Sequence, residues 1–249
     1  MTKTTAAAKA PRVDVPVSPW APASVREQQR EVKRNAVLQA AAQMFNEHGF
    51  HATSLDDVAA RLHVSKPTLY YYVKSKDEIL FECVRAGLQM MQAGIAETSS
   101  RGGSAIEQLV ACMRTYGKIV TMDFGMCLIR IGEDPLPPES RKKLRRAKSA
   151  IDLEFRRLIA AGVDEGSIVP CDPKITAFAI AGALSWIGRW YQPGGDYSAD
   201  EVVERVMNTL LGSLLNPDLP AIRTRPTPAP KVTATSKKAK SVAKGDLAK

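Results

Sequence analysis

Apolar residues recur along this chain at three- and four-residue spacings, and nowhere with the two-residue alternation of a strand. Val37, Ala41, Met44 and Phe45 fall at i, i+4, i+7 and i+8, one helical stripe. That stripe predicts a helix from about Val25 to His48, closed by Gly49 in a left-handed cap. Ser54 then reads as an N-cap, with Asp56 and Asp57 favourable in the first turn. Leu55, Val58, Ala59 and Leu62 give the short second helix its apolar side. After His63-Val64-Ser65 a third helix begins, with Pro67 in its first turn. A fourth starts at Ser75, where Ser75 and Glu78 have the spacing of a capping box. Ile79, Leu80, Val84, Leu88 and Met91 continue its buried side.

The same pattern continues to about Leu215. It predicts helices over Ser104–Met122 and Phe124–Ile131, and a loop at Gly132-Glu133-Asp134-Pro135-Leu136-Pro137-Pro138. A long helix follows from Glu139 to about Ala161, with Leu144, Ala147, Ile151, Phe155 and Leu158 as its stripe. Gly162–Asp172 reads as a turn region. Pro173–Tyr191 is apolar almost all round, so both its faces need cover. The last helix starts at Ser198, with Glu201 completing a second capping box. The expected fold is therefore all-α. An N-terminal three-helix unit over residues 31–91, with a helix-turn-helix at about 54–73, precedes a larger helical domain over 92–217. Residues 1–24 and 221–249 hold few large apolar side chains and cannot offset their own ordering entropy.

Charge refines this division. Residues 1–80 carry 11 Lys/Arg against 8 Asp/Glu, residues 81–220 carry 16 against 17, and residues 221–249 carry 8 against 1. The basic excess lies at the two ends, which suits a polyanionic partner there. The tail cations are compatible with extra salt-sensitive DNA affinity and equally with a plain solvated tail. The longest uncharged apolar run, Ile175 to Gly188, is 14 residues, where a membrane span needs about 20. The first 24 residues lack the apolar core of a secretion signal. Cys83, Cys112, Cys127 and Cys171 lie 29, 15 and 44 residues apart, which is neither metal-ligand nor redox spacing. A cytoplasmic protein with reduced thiols, no metal and no cofactor is expected.

A short amphipathic helix, a three-residue turn and a second short helix form a helix-turn-helix, whose second helix enters the DNA major groove. In Ser65-Lys66-Pro67-Thr68-Leu69-Tyr70-Tyr71-Tyr72, Leu69 suits the core, while Lys66, Thr68, Tyr71 and Tyr72 suit the outside. Three adjacent tyrosines on so short a helix cannot all be buried. Exposed rings meet thymine methyls, and their hydroxyls meet phosphates or base edges.

At these residues the sequence resembles a known family. Ala40-Ala41, Phe45, Gly49-Phe50, Thr53-Ser54, Val58-Ala59, Val64-Ser65, Thr68-Leu69-Tyr70 and Lys74-Ser75-Lys76-Asp77-Glu78-Ile79-Leu80 are similar to the N-terminal domain of TetR-family transcriptional regulators. The resemblance implies phosphate contacts from Ser54, Ser65, Thr68 and Lys76. It implies backbone contact and packing from Tyr70, and base-edge contacts from Lys66, Pro67, Tyr71 and Tyr72. Two positions depart from the pattern: Val73 replaces an aromatic, and Pro67 replaces a glycine.

The resemblance further implies a homodimer built on the last two helices, 173–191 and 198–215, and a small-molecule pocket in the larger domain. The small residues Ala177, Ala179, Ala181, Gly182 and Ala183 suit close helix approach, although one large monomeric core would also cover this helix. A dimer places two recognition helices about 34–36 Å apart on a palindromic double-stranded operator. Candidate pocket residues are Met113, Tyr116, Val120, Phe124, Cys127, Leu128, Arg130 and Trp186. Arg130 stands in an apolar run and needs an acceptor: Asp123, Glu133 or an anionic ligand. The cluster Arg141-Lys142-Lys143-Leu144-Arg145-Arg146-Ala147-Lys148 is either a solvated face or a phosphate site at a pocket mouth.

The stretch Trp186 … Arg189-Trp190-Tyr191-Gln192-Pro193-Gly194-Gly195 … Ser198-Ala199-Asp200-Glu201 resembles TetR-family regulators of fatty-acid, steroid and aromatic-acid catabolism, several of which respond to acyl-CoA thioesters. A repressor released by an acyl-CoA thioester, or by a simpler hydrophobic or aromatic ligand, is expected. The rivals are an activator, a thiol redox sensor using Cys112 and Cys127, and an architectural DNA binder without a ligand. Enzyme chemistry has no support: there is no phosphate loop, Gly-x-Ser-x-Gly, His-Glu-x-x-His or Cys-x-x-Cys, and all three histidines lie in the DNA-reading segment.

Overall fold

Five helices begin at a serine whose hydroxyl accepts the backbone N–H three residues on: Ser54, Ser65, Ser75, Ser104 and Ser198. These caps satisfy donors that a helix start leaves orphaned. A computed structural model describes residues 23–217. Among them lie α1 (Ala23–His48), α2 (Leu55–Arg61), α3 (Lys66–Tyr72), α4 (Lys76–Arg101), α5 (Ala105–Val120), α6 (Asp123–Arg130), α7 (Pro138–Asp164), α8 (Pro173–Trp190) and α9 (Ala199–Leu214). Their sole β pairing is an isolated antiparallel bridge between Ile168 and Leu215, which ties the loop after α7 to the end of α9. No helix among them is long and apolar enough to cross a membrane. Residues 1–22 and the basic tail 221–249 lie outside the described residues.

The expected stripes are the core. Val37, Ala41, Met44 and Phe45 of α1 are buried, as are Ile79, Leu80, Val84, Leu88 and Met91 of α4. α4 carries this core from the helix-turn-helix unit into the larger domain, where α5, α6 and α7 pack around it and α8 packs on those three.

Two local expectations are corrected. Ser75 caps α4 by accepting from Glu78 N at 3.1 Å. The Glu78 carboxylate does not return to Ser75, however. It accepts from Lys74 N at 2.8 Å and from Arg34 of α1 at 3.3 Å, so helix–helix attachment outcompetes the box. α7 runs on through Gly162 to Asp164. Gly162 sits inside the helix where a Cβ would meet Ile168 Cδ1 at 2.5 Å; its bare backbone makes room for that core side chain. Only one face of α8 is covered. Ala177, Ile180, Leu184 and Ile187 are buried, while Ile175, Phe178, Trp186 and Trp190 remain exposed.

α6 is nested among its neighbours by glycine. A Cβ on Gly125 would stand 1.9 Å from the Ile119 carbonyl oxygen of α5, so only glycine lets the two backbones approach this closely.

Candidate DNA-reading surface and effector cavity

Local bonds build the helix-turn-helix. Ser54 N and Ser54 Oγ both donate to Asp57 Oδ2, at 2.9 and 2.6 Å, and Asp57 N donates back to Ser54 Oγ at 3.1 Å. The Ser54 hydroxyl and amide hold the Asp57 carboxyl below its ordinary range. His63 takes the turn with φ 54°, a left-handed conformation uncommon for a non-glycine residue. Ser65 Oγ accepts from Thr68 N at 3.3 Å and shares a hydrogen bond with Thr68 Oγ1 at 2.8 Å. Arg61 joins α2 to Glu47 of α1 through two bonds of 2.6 and 3.1 Å.

On α3, Leu69 and the following Val73 are buried at 1% exposure each. Val73 therefore stands in the core, where a β-branched side chain replaces the family's aromatic. Tyr70 and Tyr71 project outward at 51% and 65% exposure. Tyr72 is half-buried, and its ring meets Tyr71 edge-on at 5.1 Å. Arg30 of α1 lies 5.3 Å above the Tyr71 ring, a cation–π contact that orients it. Pro67 and Thr68 are exposed at the outer end of the same helix. Lys66 Nζ meets Asp56 Oδ2 at 2.5 Å, with both side chains more than half exposed, so the pair opens readily to solvent or phosphate.

Lys76 is placed differently. Its ammonium donates to the carbonyls of Phe50 (2.8 Å), Thr53 (3.0 Å) and His51 (3.3 Å), and sits 4.5 Å from the centre of the Phe50 ring. All three of its donors are engaged. It fastens the α1–α2 loop from within, and no donor is left over for an outside anion.

A cavity of about 490 Å³ opens among α4, α5, α6, α7 and α8, a size usual for small-molecule sites. Of the sequence candidates, Tyr116, Val120, Leu128 and Trp186 line it. Tyr116 Oη and Ser185 Oγ lie 2.8 Å apart on its wall, and burial pushes the Tyr116 phenol up. Met113 and Cys127 are fully buried in the core, and Phe124 is packed against that core, all three outside the cavity lining. The sequence reading missed Leu88 and Met91 of α4, Ile151 and Phe155 of α7, and Phe178 of α8. Their signal was present as i, i+3, i+4 stripes, but a stripe does not say which apolar face meets a void. Lys148 and Asp152 of α7 and Arg189 of α8 add charge to an otherwise apolar lining.

Arg130 pairs with neither Asp123 nor Glu133, the two carboxylates expected for it. Its guanidinium donates to the carbonyls of Gly188 (2.8 Å), Tyr191 (2.9 Å) and Asn46 (3.3 Å). It caps the C-terminal ends of α8 and α1 together, where carbonyls lack helical partners and the dipole favours a cation. Asp123 fastens the other end of α6. Its carboxylate accepts from Gln39 (2.5 Å) and Gln43 (3.1 Å), and its carbonyl accepts from Asn46 at 3.0 Å. Those three donors recur at i, i+4 and i+7 on α1. α6 is thus bound at both ends to the DNA-reading unit, while Gly125, Leu128 and Ile129 line the cavity.

Two buried thiols are held in the protonated form. Burial raises Cys112 to about 11. A hydrogen bond with Cys83, followed by burial, raises Cys127 well above the ordinary thiol range. The described residues contain no cluster of side chains suited to a metal ion.

A recognition helix on a helix-turn-helix, joined through α6 to an apolar cavity, defines a class: the one-chain transcriptional regulator. The chain matches the family model for bacterial regulatory proteins of the tetR family over residues 37–83, and that for the tetracyclin repressor-like C-terminal domain over residues 102–214. It is 32% identical to a TetR/AcrR-family regulator from Thermobifida fusca, covering 72% of this chain and 97% of that one at a TM-score of 0.57. It is 26% identical over 190 residues to the transcriptional repressor KstR2 of Rhodococcus jostii, covering 74% of this chain and 92% of that protein. The fold is also that of AibR, solved with isovaleryl coenzyme A and operator DNA, at 24% identity and a TM-score of 0.64, over 74% of this chain and 98% of that one. The chain belongs to the TetR family. It is a DNA-binding transcriptional regulator and not an enzyme.

Proposed function

We propose that this protein is a cytoplasmic homodimeric repressor, released from a palindromic operator when an acyl-CoA-type thioester fills the cavity. The observation that carries this reading is the double attachment of α6. Asp123 and Arg130 bind α1 at its two ends, and its middle lines the cavity. A ligand that displaces α6 displaces α1, and with it α3. Two states that differ in recognition-helix spacing then differ in operator affinity, and the ligand selects between them.

The ligand class follows from the chemistry of the lining. Its apolar majority suits an acyl group, and Lys148 and Arg189 suit an anionic remainder. The KstR2 relatives are named as repressors, which favours repression over activation. The raised thiols of Cys112 and Cys127 speak against redox sensing.

The second copy accounts for the outer face of α8. Ile175, Phe178, Gly182, Trp186 and Trp190 form one exposed stripe, and Gly212 of α9 is likewise open. An apolar stripe of this extent marks an association surface. Phe178, Gly182 and Trp186 belong both to this stripe and to the cavity lining, so the second copy also closes one side of the cavity.

A thermal-shift titration with octanoyl-CoA and with octanoic acid tests the ligand class. A saturable rise with the thioester that is absent for the free acid is expected. A rise with the acid alone would replace the thioester by a simpler ligand. Sedimentation should give a dimer, and a monomer at micromolar concentration would refute the α8 interface.

A further inference from the structure

The first half of α7 carries a charge cluster that this account leaves unused. Between Pro138 and Ser149 six cations, Arg141, Lys142, Lys143, Arg145, Arg146 and Lys148, stand against one carboxylate, Glu139. Among the described residues only Arg145 and Lys148 of these six pair with a carboxylate, Glu133 of the preceding loop at 2.6 and 3.0 Å. Arg141, Lys142, Lys143 and Arg146 therefore present unneutralised charge at neighbouring helical positions, which repel one another until an anion arrives. Arg141, Lys142, Arg145 and Arg146 line an open groove along the helix.

Helical spacing connects this groove to the cavity. Arg141, Arg145, Lys148 and Asp152 recur at i, i+4, i+7 and i+11, one stripe on one face. The first two line the groove and the last two line the cavity. At 1.5 Å per residue the stripe is about 16 Å long. Arg189 of α8 faces the same cavity as Lys148. The surface thus runs from an apolar cavity, past two cations, to a row of guanidinium groups, which bind phosphate through paired N–H donors.

We propose that the groove on α7 is a binding site for the diphosphate of the effector's carrier, with Arg141 and Arg145 as its principal ligands and Lys142 and Arg146 beside them. This rests on the thioester reading above. The acyl group fills the cavity, the pantetheine arm passes Lys148 and Arg189, and the nucleotide end lies along α7. The groove then supplies selection for the carrier, and the cavity supplies selection for the acyl group.

The test is calorimetric titration of the full chain with octanoyl-CoA and with S-octanoylpantetheine, which has the same acyl group and arm but no phosphate. The wild type should bind the CoA thioester at least tenfold more tightly, by a margin that shrinks as salt rises. Arg141→Ala/Arg145→Ala should erase most of that margin and leave S-octanoylpantetheine binding unchanged. Arg141→Ala alone, which breaks no ion pair, should erase part of it. Arg141→Lys/Arg145→Lys should restore much of it. Equal affinity of the alanine variants and the wild type for octanoyl-CoA would overturn the site and leave the thioester reading standing. Binding of neither thioester by the wild type would instead remove that reading and the site with it. Binding of ATP as tight as that of octanoyl-CoA would transfer the groove to free nucleotides. Loss of operator affinity by the variants without any thioester would make it a DNA contact. Either outcome overturns the proposal.

Discussion

Polar side chains serve opposite purposes in the two halves of this molecule. In the DNA-reading unit they cap helices and fasten the unit's own helices and loops to one another. Ser54 closes on Asp57, Ser65 on Thr68, and Lys76 on three loop carbonyls, so the outward surface of α3 is left mainly to the aromatic rings of Tyr70 and Tyr71. In the effector unit the long-range polar bonds join distant segments. Asp123 and Arg130 reach residues 77 to 84 positions away, and Arg114 reaches Glu204 across α5 and α9. The first arrangement fixes the outward surface of α3. The second adds directed polar ties between helices that also share one packed core. Regulation needs both, because the readout depends on that surface and the response on those ties.

The comparison is broken most severely at Gly125. Gly125→Ala drives α6 against the α5 backbone, where overpacking costs about 2–3 kcal/mol, or a fall of about 5–10 °C in Tm. Thermal unfolding followed by circular dichroism measures it, and an unchanged Tm would show that α5 and α6 tolerate wider spacing. Tyr71→Ala comes next. Specific operator affinity should fall about 10–100-fold while binding to random duplex holds, because a base contact is lost and phosphate contacts are not. Equal losses on both duplexes would move Tyr71 from base reading to backbone contact.

Lys76→Met sharpens the distinction between fastening and contact. With its ammonium turned to loop carbonyls, the variant should lose stability by about 1–2 kcal/mol. The slope of log affinity against log salt should stay as in the wild type. A slope smaller by about one would mean that Lys76 meets a phosphate after all. The smallest effect concerns acid. Burial disfavours the charge on Glu133, but hydrogen bonds from Arg145 and Lys148 outweigh it, so its carboxyl lies below the ordinary range for a glutamate. A lowered carboxyl stabilises the fold above its unfolded pKa, and that contribution is lost as pH falls through the folded value. The stability gap between wild type and Glu133→Gln, read from urea midpoints, should therefore narrow below about pH 4.5. A gap constant to pH 3 would contradict the ion pair.

The same contrast explains what could be read from the chain alone. The helix-turn-helix was legible because its determinants are local: caps three residues apart, a short turn, and one buried Leu69 ahead of the outward Tyr70 and Tyr71. The expected helices 5, 6, 8 and 9 end within two residues of their observed bounds for the same reason. The cavity was legible only in part. Tyr116, Val120, Leu128 and Trp186 stand in its wall, but α4 and α7 supply wall residues whose apolar stripes look like any core stripe. The acceptors of Arg130 were not legible because they are backbone carbonyls, and those carry no side-chain signal. The role of Gly125 was hidden similarly, since close approach of two backbones leaves no pattern beyond one small residue.

The central claim is that cavity occupancy reaches the DNA through α6. Its most direct test is operator affinity with and without saturating octanoyl-CoA, in the wild type and in Arg130→Met, on a duplex selected from random sequence. The account predicts that the thioester weakens wild-type binding by about 5–150-fold, the usual range of such coupling. Arg130→Met should still bind the thioester but release the operator less than about twofold, since its ties to Asn46, Gly188 and Tyr191 are gone. Full release in Arg130→Met would contradict the account and place the coupling in another helix.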